Sequence, residues 1–204
     1  MTSRMTLGAL TLCGAVALSA CTTVVARYYT LVPTASDAPP AVAPVNFQFE
    51  MLAVRMPVQV DQPQLVVRQD NGSLAILENQ RWGAPLADEF HDALASQLEA
   101  RLGTRDLAGM PKSTGMPIVS VQTDVRRFDS LPGNYALVDV VWSLALRDAG
   151  QQRRTLTCSS VLRETAGTPI ESLVLAHQHL IAQLATRMAS TAKGFAAREG
   201  AVCP

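Results

Sequence analysis

The sequence predicts an α/β chain of the α+β type: a single domain in which a mostly antiparallel sheet carries two long helices packed on it. Three observations lead there. Segments of period-two apolar alternation fall in two blocks, and each block is followed by one long segment with a helical stripe. Turn signals at Asp70-Asn71-Gly72 and Asp148-Ala149-Gly150 join neighbouring extended segments as hairpins.

The elements follow in order. Tyr28-Tyr29-Thr30-Leu31 is too aromatic and β-prone for a tether, and is expected to dock on the domain as a short strand. The stretch after it, PTASDAPPAVAP, has linker composition. In VNFQFEMLAVRM the alternation of Phe47, Phe49 and Met51 predicts a half-buried strand ending before Pro57. PQLVVRQ and SLAILE form the arms of the first hairpin. In APLADEFHDALASQLEARLG, Leu86, Phe90, Leu94, Leu98 and Leu102 recur every fourth residue, with Ala87 and Ala93 widening the stripe. Pro85 suits the first turn of this helix and Gly103 its end. PIVSVQTDVRRF alternates at Val119, Val121, Thr123 and Val125. YALVDVVWSLALRD is the clearest strand, with Ala136, Val138, Val140, Trp142, Leu144 and Leu146 on one face. RTLTCSSVLRE returns beside it. The last helix runs from about Ile170 to Phe195, with Ser172 as a candidate cap before it.

The N-terminus has a different character. Arg4 precedes an apolar run from Met5 to Leu18, which is shorter than the roughly 20 residues that a bilayer span needs. Residues 1–20 are therefore expected to be a secretory signal peptide, with no transmembrane helix in the mature chain. Leu18-Ser19-Ala20-Cys21 has the aliphatic-small-small-cysteine order of a bacterial lipobox. The Cys21 thiol is the nucleophile that takes a diacylglyceryl group, and cleavage before it leaves Cys21 as an acylated N-terminus. Several acyl chains together hold a protein stably at a membrane. Thr22, where an aspartate would favour inner-membrane retention, points to the inner leaflet of the outer membrane, facing the periplasm. Residues 21–44 are then the lipidated N-terminus, docking strand and Pro/Ala-rich linker, and 45–204 the domain proper.

Two cysteines remain for the oxidising compartment, Cys158 and Cys203. They are a candidate disulfide, or else a buried thiol and a loose one. Basic and acidic residues balance at 17 each, so no general electrostatic case exists for nucleic acid.

A search for chemistry finds little. His91 is placed on the polar side of the first helix. His177 and His179 are two apart on a helix, so they point about 200° apart and cannot share a metal. Cys158 is in strand register with Leu156 and Leu162 and has no histidine partner in view. Asp88, Glu89 and Asp92 cluster near a helix start, where capping and solvation account for them. Trp142 belongs to an apolar strand face. No catalytic, metal or cofactor site emerges, and the chain reads as a non-enzyme.

Several segments taken together resemble a known family, the PqiC-like ABC-transport auxiliary lipoproteins. They are the lipobox, Tyr28-Tyr29-Thr30-Leu31, Val60-Asp61-Gln62-Pro63-Gln64-Leu65-Val66-Val67-Arg68, Arg81-Trp82-Gly83-Ala84-Pro85-Leu86, Arg127-Phe128-Asp129, the Trp142 strand and the final helix. Gln62 departs from the arginine common in that family, which puts in doubt a salt bridge there. The resemblance implies a lipid-anchored periplasmic subunit beside an MCE-domain protein and an ABC transporter complex. Such a system would move lipid or hydrophobic solute between membranes, with this subunit docking the conduit at the outer membrane, assembled as a homo-oligomeric ring in one version. A stand-alone lipid-binding lipoprotein and a structural envelope lipoprotein are the competing readings. Arg81 and Trp82, just before a helix, are candidate partner contacts; alternatively Trp82 is a core residue closing a strand-to-helix corner.

Overall fold

The computed structural model describes residues 25–34, 42–197 and 202–204. In chain order the elements are β1 (Arg27–Tyr29), β2 (Gln48–Met51), β3 (Gln64–Arg68), β4 (Leu74–Trp82), α1 (Leu86–Leu102), β5 (Ile118–Leu131), β6 (Tyr135–Arg147), β7 (Arg154–Thr165) and α2 (Ile170–Ala197). The α+β class and the two long helices are those the periodicity predicts. The strands, however, are shared between two sheets, ordered β1-β4-β3 and β2-β5-β6-β7.

The larger sheet is built on β5, β6 and β7, an antiparallel meander with β2 added in parallel to β5. The apolar face of β6 is wholly buried, from Ala136 through Trp142 to Leu146. Trp142 donates its indole N–H to Ser160 Oγ at 3.1 Å, so its one polar group is served inside the core. A bulge between Val125 and Arg127 inserts one residue into β5. Inward positions Val119, Val121, Thr123 and Val125 are thereby followed by Phe128 and Ser130.

β2 differs from expectation. It is buried on both faces, not one, because residues 106–113 fold across it: Met51 N–H donates to Asp106, and Gln48 exchanges two hydrogen bonds with the Ser113 main chain. The buried Glu50 carboxylate accepts from Ser120, Lys112 and Arg147 at 2.6–2.7 Å. Burial alone would raise its pKa, but these partners outweigh it and hold the carboxyl below the usual range.

Helix α1 buries Leu86, Phe90, Ala93, Leu94, Leu98 and Leu102 and packs on α2, which lies across β6 and β7. Pro85 stands at its N-cap and has no side-chain donor or acceptor to offer; Asp61 supplies one instead, accepting from Ala87 N–H at 3.2 Å. Gly103 ends the helix with φ +65°, and a Cβ there would lie 2.7 Å from the Val42 carbonyl oxygen. Ser172 falls inside α2 rather than before it, and its hydroxyl accepts from Gly167 N–H at 2.7 Å, closing the preceding loop. Cys158, buried on β7, is joined to Cys203 with Cα atoms 5.4 Å apart. The C-terminal residues are thus held to the edge strand of the sheet.

Candidate functional site

The smaller sheet carries the polar features that packing alone does not explain. Its edge strand β1 runs parallel to β4, with Arg27 level with Gln80 and Tyr29 level with Trp82. Three residues of ladder would not hold a strand in place by themselves. Side chains from both helices do the rest. Glu89 accepts from Thr30 Oγ1 at 2.7 Å and from Leu31 N–H at 2.8 Å, Gln178 donates to the Thr30 carbonyl, and Glu171 accepts from Tyr29 and Arg27. Leu31 is fully buried. Gly83 donates its N–H to the Tyr29 carbonyl, and a Cβ there would come 3.0 Å from the Glu89 carboxylate. Glu89, expected among solvated helix-start acids, is instead buried and pins the N-terminal segment. Its position among Leu86, Phe90 and Ala93 on the buried side of α1 was the available signal.

Between the two sheets lies a cleft of about 260 Å³. One wall is the outer face of β3 and β4, where Val66 and Arg68 stand across from Ile76 and Leu74. The other is the bulged part of β5, with Arg126, Arg127, Phe128, Asp129 and Ser130; Pro57 to Val60 close one side. Asp129 is buried and accepts from both Arg68, at 3.2 Å, and Arg127. Three arginines against one carboxylate leave a surplus of two positive charges. Arg68 Nε is buried with no hydrogen-bond partner, and Arg126 makes no side-chain bond to any described residue.

The segments that carry the sequence resemblance converge here. Val60 and Arg68 line the cleft from one segment, and Arg127, Phe128 and Asp129 from another. Asp61 caps α1, and Pro63 takes the Trp82 N–H on its carbonyl. Trp82 itself is 5% exposed, its ring edge-on to Phe128 with centroids 6.2 Å apart. It closes the strand-to-helix corner and has no free face for a partner. The contact alternative fails for Trp82 because the apolar ring fills the seam between the sheets. Arg81 is half-buried, donating from Nε to the Glu78 carbonyl. Residues 1–20, Cys21 and Thr22, where the signal peptide, acylation and membrane sorting are expected, lie outside the described residues.

One pair has the look of chemistry. Ser130 Oγ and His177 Nε2 share a hydrogen bond of 2.8 Å at the inner end of the cleft wall, with the imidazole stacked on Phe128 at 3.8 Å. Sequence reading placed His177 only by its opposition to His179, and a contact 47 residues apart has no local signature. His177 is completely buried, which pushes its pKa down to about 3, and its Nδ1 has no partner among the described residues. An effective base in a serine–histidine pair needs a group to orient it and a pKa near the working pH. Among the described residues His177 has no such orienting group, and its burial favours the neutral imidazole packed on Phe128. His179 pairs with Glu164, and His91 with Asp92. Among the described residues no group of three His, Cys, Asp or Glu could hold a metal, and no helix is long and apolar enough to cross a membrane.

Among the solved structures this chain resembles, two share its fold over most of its length. One is described as an uncharacterized protein, 17% identical, with TM-score 0.61 over 82% of this chain and 98% of its own. The other comes from Xanthomonas campestris, 17% identical, with TM-score 0.60 over 86% of this chain and all of its own. A comparison with curated proteins returns no match. The model of one family, the ABC-type transport auxiliary lipoprotein component, matches residues 29–189. That span runs from Tyr29, the last residue of β1, through β2 to β7 and the arginine cleft to most of the final helix, and the chain belongs to this family.

Proposed function

We propose that the protein is a non-catalytic, lipid-anchored subunit that docks the conduit of an MCE-type, ABC-driven intermembrane transport system at the outer membrane. In this reading residues 1–20 are a signal peptide, Cys21 is the acylated N-terminus, and the domain faces the periplasm from the inner leaflet. The cargo is lipid or a hydrophobic solute, and the partners are an MCE-domain protein and the transporter, with further copies of this chain forming a ring.

The observation that carries it is the stapling of β1. The Pro/Ala-rich stretch lies between two segments fastened to the domain, Leu31 and Val45, the latter by its N–H to the Leu102 carbonyl. It therefore does not set the distance to the membrane. Five residues lie between Cys21 and Arg27, and the six Cα steps reach about 20 Å at full extension. Such a short leash suits a subunit that must hold one end of a conduit at a fixed height. A long flexible tether would serve a roaming carrier better.

The test is affinity purification of the tagged, full-length protein in mild detergent, with mass spectrometry of what accompanies it. An MCE-domain protein should be recovered, and lost when Cys21→Ser removes the anchor. Stoichiometric lipid and no such partner would favour the stand-alone lipid-binding lipoprotein instead; neither lipid nor partner would favour a structural envelope role.

A further inference from the structure

We infer that the cleft between β3, β4 and the β5 bulge seats the phosphate of a membrane phospholipid headgroup, so that the domain grips the bilayer surface beside its own anchor. The inference rests on the anchoring at Cys21 proposed above.

Charge comes first. Arg68, Arg126 and Arg127 line one small concavity, and Asp129 offsets only one of them. Two guanidinium groups, of Arg68 and Arg127, meet on the single Asp129 carboxylate while Arg126 lines the same concavity, and arginine's planar array of donors matches phosphate oxygens. Donors are also left over. Arg68 spends an amino group on Asp129 at 3.2 Å yet keeps its side chain 34% exposed, so part of its donor array stays open. Arg126 is brought to the cleft by the extra residue of the bulge and makes no side-chain bond to any described residue.

The surroundings favour a lipid over a soluble anion. Val60, Val66 and Leu74 line the same cleft, and Ile76, half exposed at 50%, continues the apolar strip along β4. Val58 projects from the closing loop at 84% exposure. Cationic groups beside exposed aliphatic side chains match a headgroup phosphate lying next to the glycerol and upper acyl region.

Direction supplies the remaining argument. Because β1 is parallel to β4, the chain enters β1 from the Leu74 end of β4. Arg27 is level with Gln80, and Leu74 is six residues further along, about 20 Å away at strand rise. The leash of six Cα steps to Cys21 has the same reach. Leu74 stands directly across from Arg68. The acylated cysteine, and with it the membrane surface, can therefore reach the level of the arginine cleft. An acidic segment of a partner protein would satisfy the charges equally, but nothing in the fold brings one there.

The experiment uses the mature, acylated protein in phosphatidylcholine vesicles with or without phosphatidylglycerol, followed by flotation and amide hydrogen exchange. Phosphatidylglycerol should slow exchange in residues 56–60, 66–74 and 126–130 by about tenfold, the equivalent of one charge-assisted hydrogen bond. Arg126→Gln should abolish that slowing while leaving melting unchanged, since the side chain makes no bond to the described fold. Inorganic phosphate added to the protein in detergent distinguishes the source: equal slowing there would overturn the lipid in favour of a free anion. Slowing that needs added envelope proteins would overturn it in favour of an acidic partner. Flotation without phosphatidylglycerol-dependent slowing would sink the cleft inference and leave the anchor standing. Failure to float would remove the anchor, and this inference with it.

Discussion

The two sheets solve different problems. In the four-stranded sheet, ladders of twelve and thirteen paired residues run between β5, β6 and β7, and the inward face is an almost unbroken apolar surface under α2. The three-stranded sheet is short and irregular. Its edge strand has three residues, its β3–β4 pairing shifts register beyond Leu65, and Leu74 and Ile76 are open to solvent. It holds a buried carboxylate, Glu89, and borders a cleft with an unserved arginine donor. The difference teaches where to look for function in such a domain. The larger sheet is what the domain needs in order to fold; the smaller one bears the features whose upkeep costs stability and that therefore call for another purpose.

Substitutions in the larger sheet should unfold the protein, and those in the smaller one should loosen a part of it. The largest effect is expected from Trp142→Ala, about 3–5 kcal/mol, because it empties the centre of the core and strands the Ser160 hydroxyl. Chemical denaturation would show it as a lower midpoint with all probes moving together; a purely local change would break the comparison. Cys203→Ser should come next, at roughly 2–4 kcal/mol, since it frees a loop of 45 residues in the unfolded chain. A reducing agent should bring the parent protein down to the same midpoint.

Glu89→Gln tests the smaller sheet. A neutral amide keeps one acceptor but loses the charge that holds Thr30 Oγ1 and Leu31 N–H together, at a cost of about 1–3 kcal/mol. That loss should appear as faster amide exchange in residues 27–31, with β5 to β7 still protected. Uniform loss of protection would show that the two sheets are one cooperative unit.

His177 sits where the sheets meet, and its contribution depends on pH. Burial depresses its pKa to about 3, so the unfolded chain takes up a proton near 6.5 that the folded chain refuses. Stability is therefore intact above about pH 6.5 and is lost as pH falls toward 3, by up to tenfold in the folding constant per pH unit. The lowered Glu50 carboxyl acts in the same sense but only in the carboxylate range, as acid titrates it. His177→Phe should flatten the melting curve between pH 6 and 4, roughly the histidine range, while leaving the acid limb due to Glu50. An unchanged slope there would mean that the imidazole is not held neutral.

Periodicity alone was enough to read the secondary structure and the class of the fold. The alternation of β6 names its apolar buried face residue by residue, the fourfold repeat of α1 names its large apolar core residues, and Asn71-Gly72 marks its hairpin, since each is a property of side chains within a few positions of one another. The Leu18-to-Cys21 segment, expected to be a lipobox, is likewise a local pattern of neighbouring side chains. What tertiary structure decided depends on residues far apart in the chain. Trp82 looks like a surface anchor until Phe128 is placed against it. Glu89 looks solvated until Thr30 and Leu31 arrive from 58 residues or more upstream. Asp61 caps a helix 26 residues away, and Ser130 finds His177 across 47. The arginine cleft is the clearest case. Arg68 and Asp129 meet across 61 residues, and whether a like-charged cluster is a solvated run or an anion seat depends on which walls enclose it. A hydrophobic pattern specifies which face turns inward, but the cost of burying a charge is settled only by the partner that packing delivers.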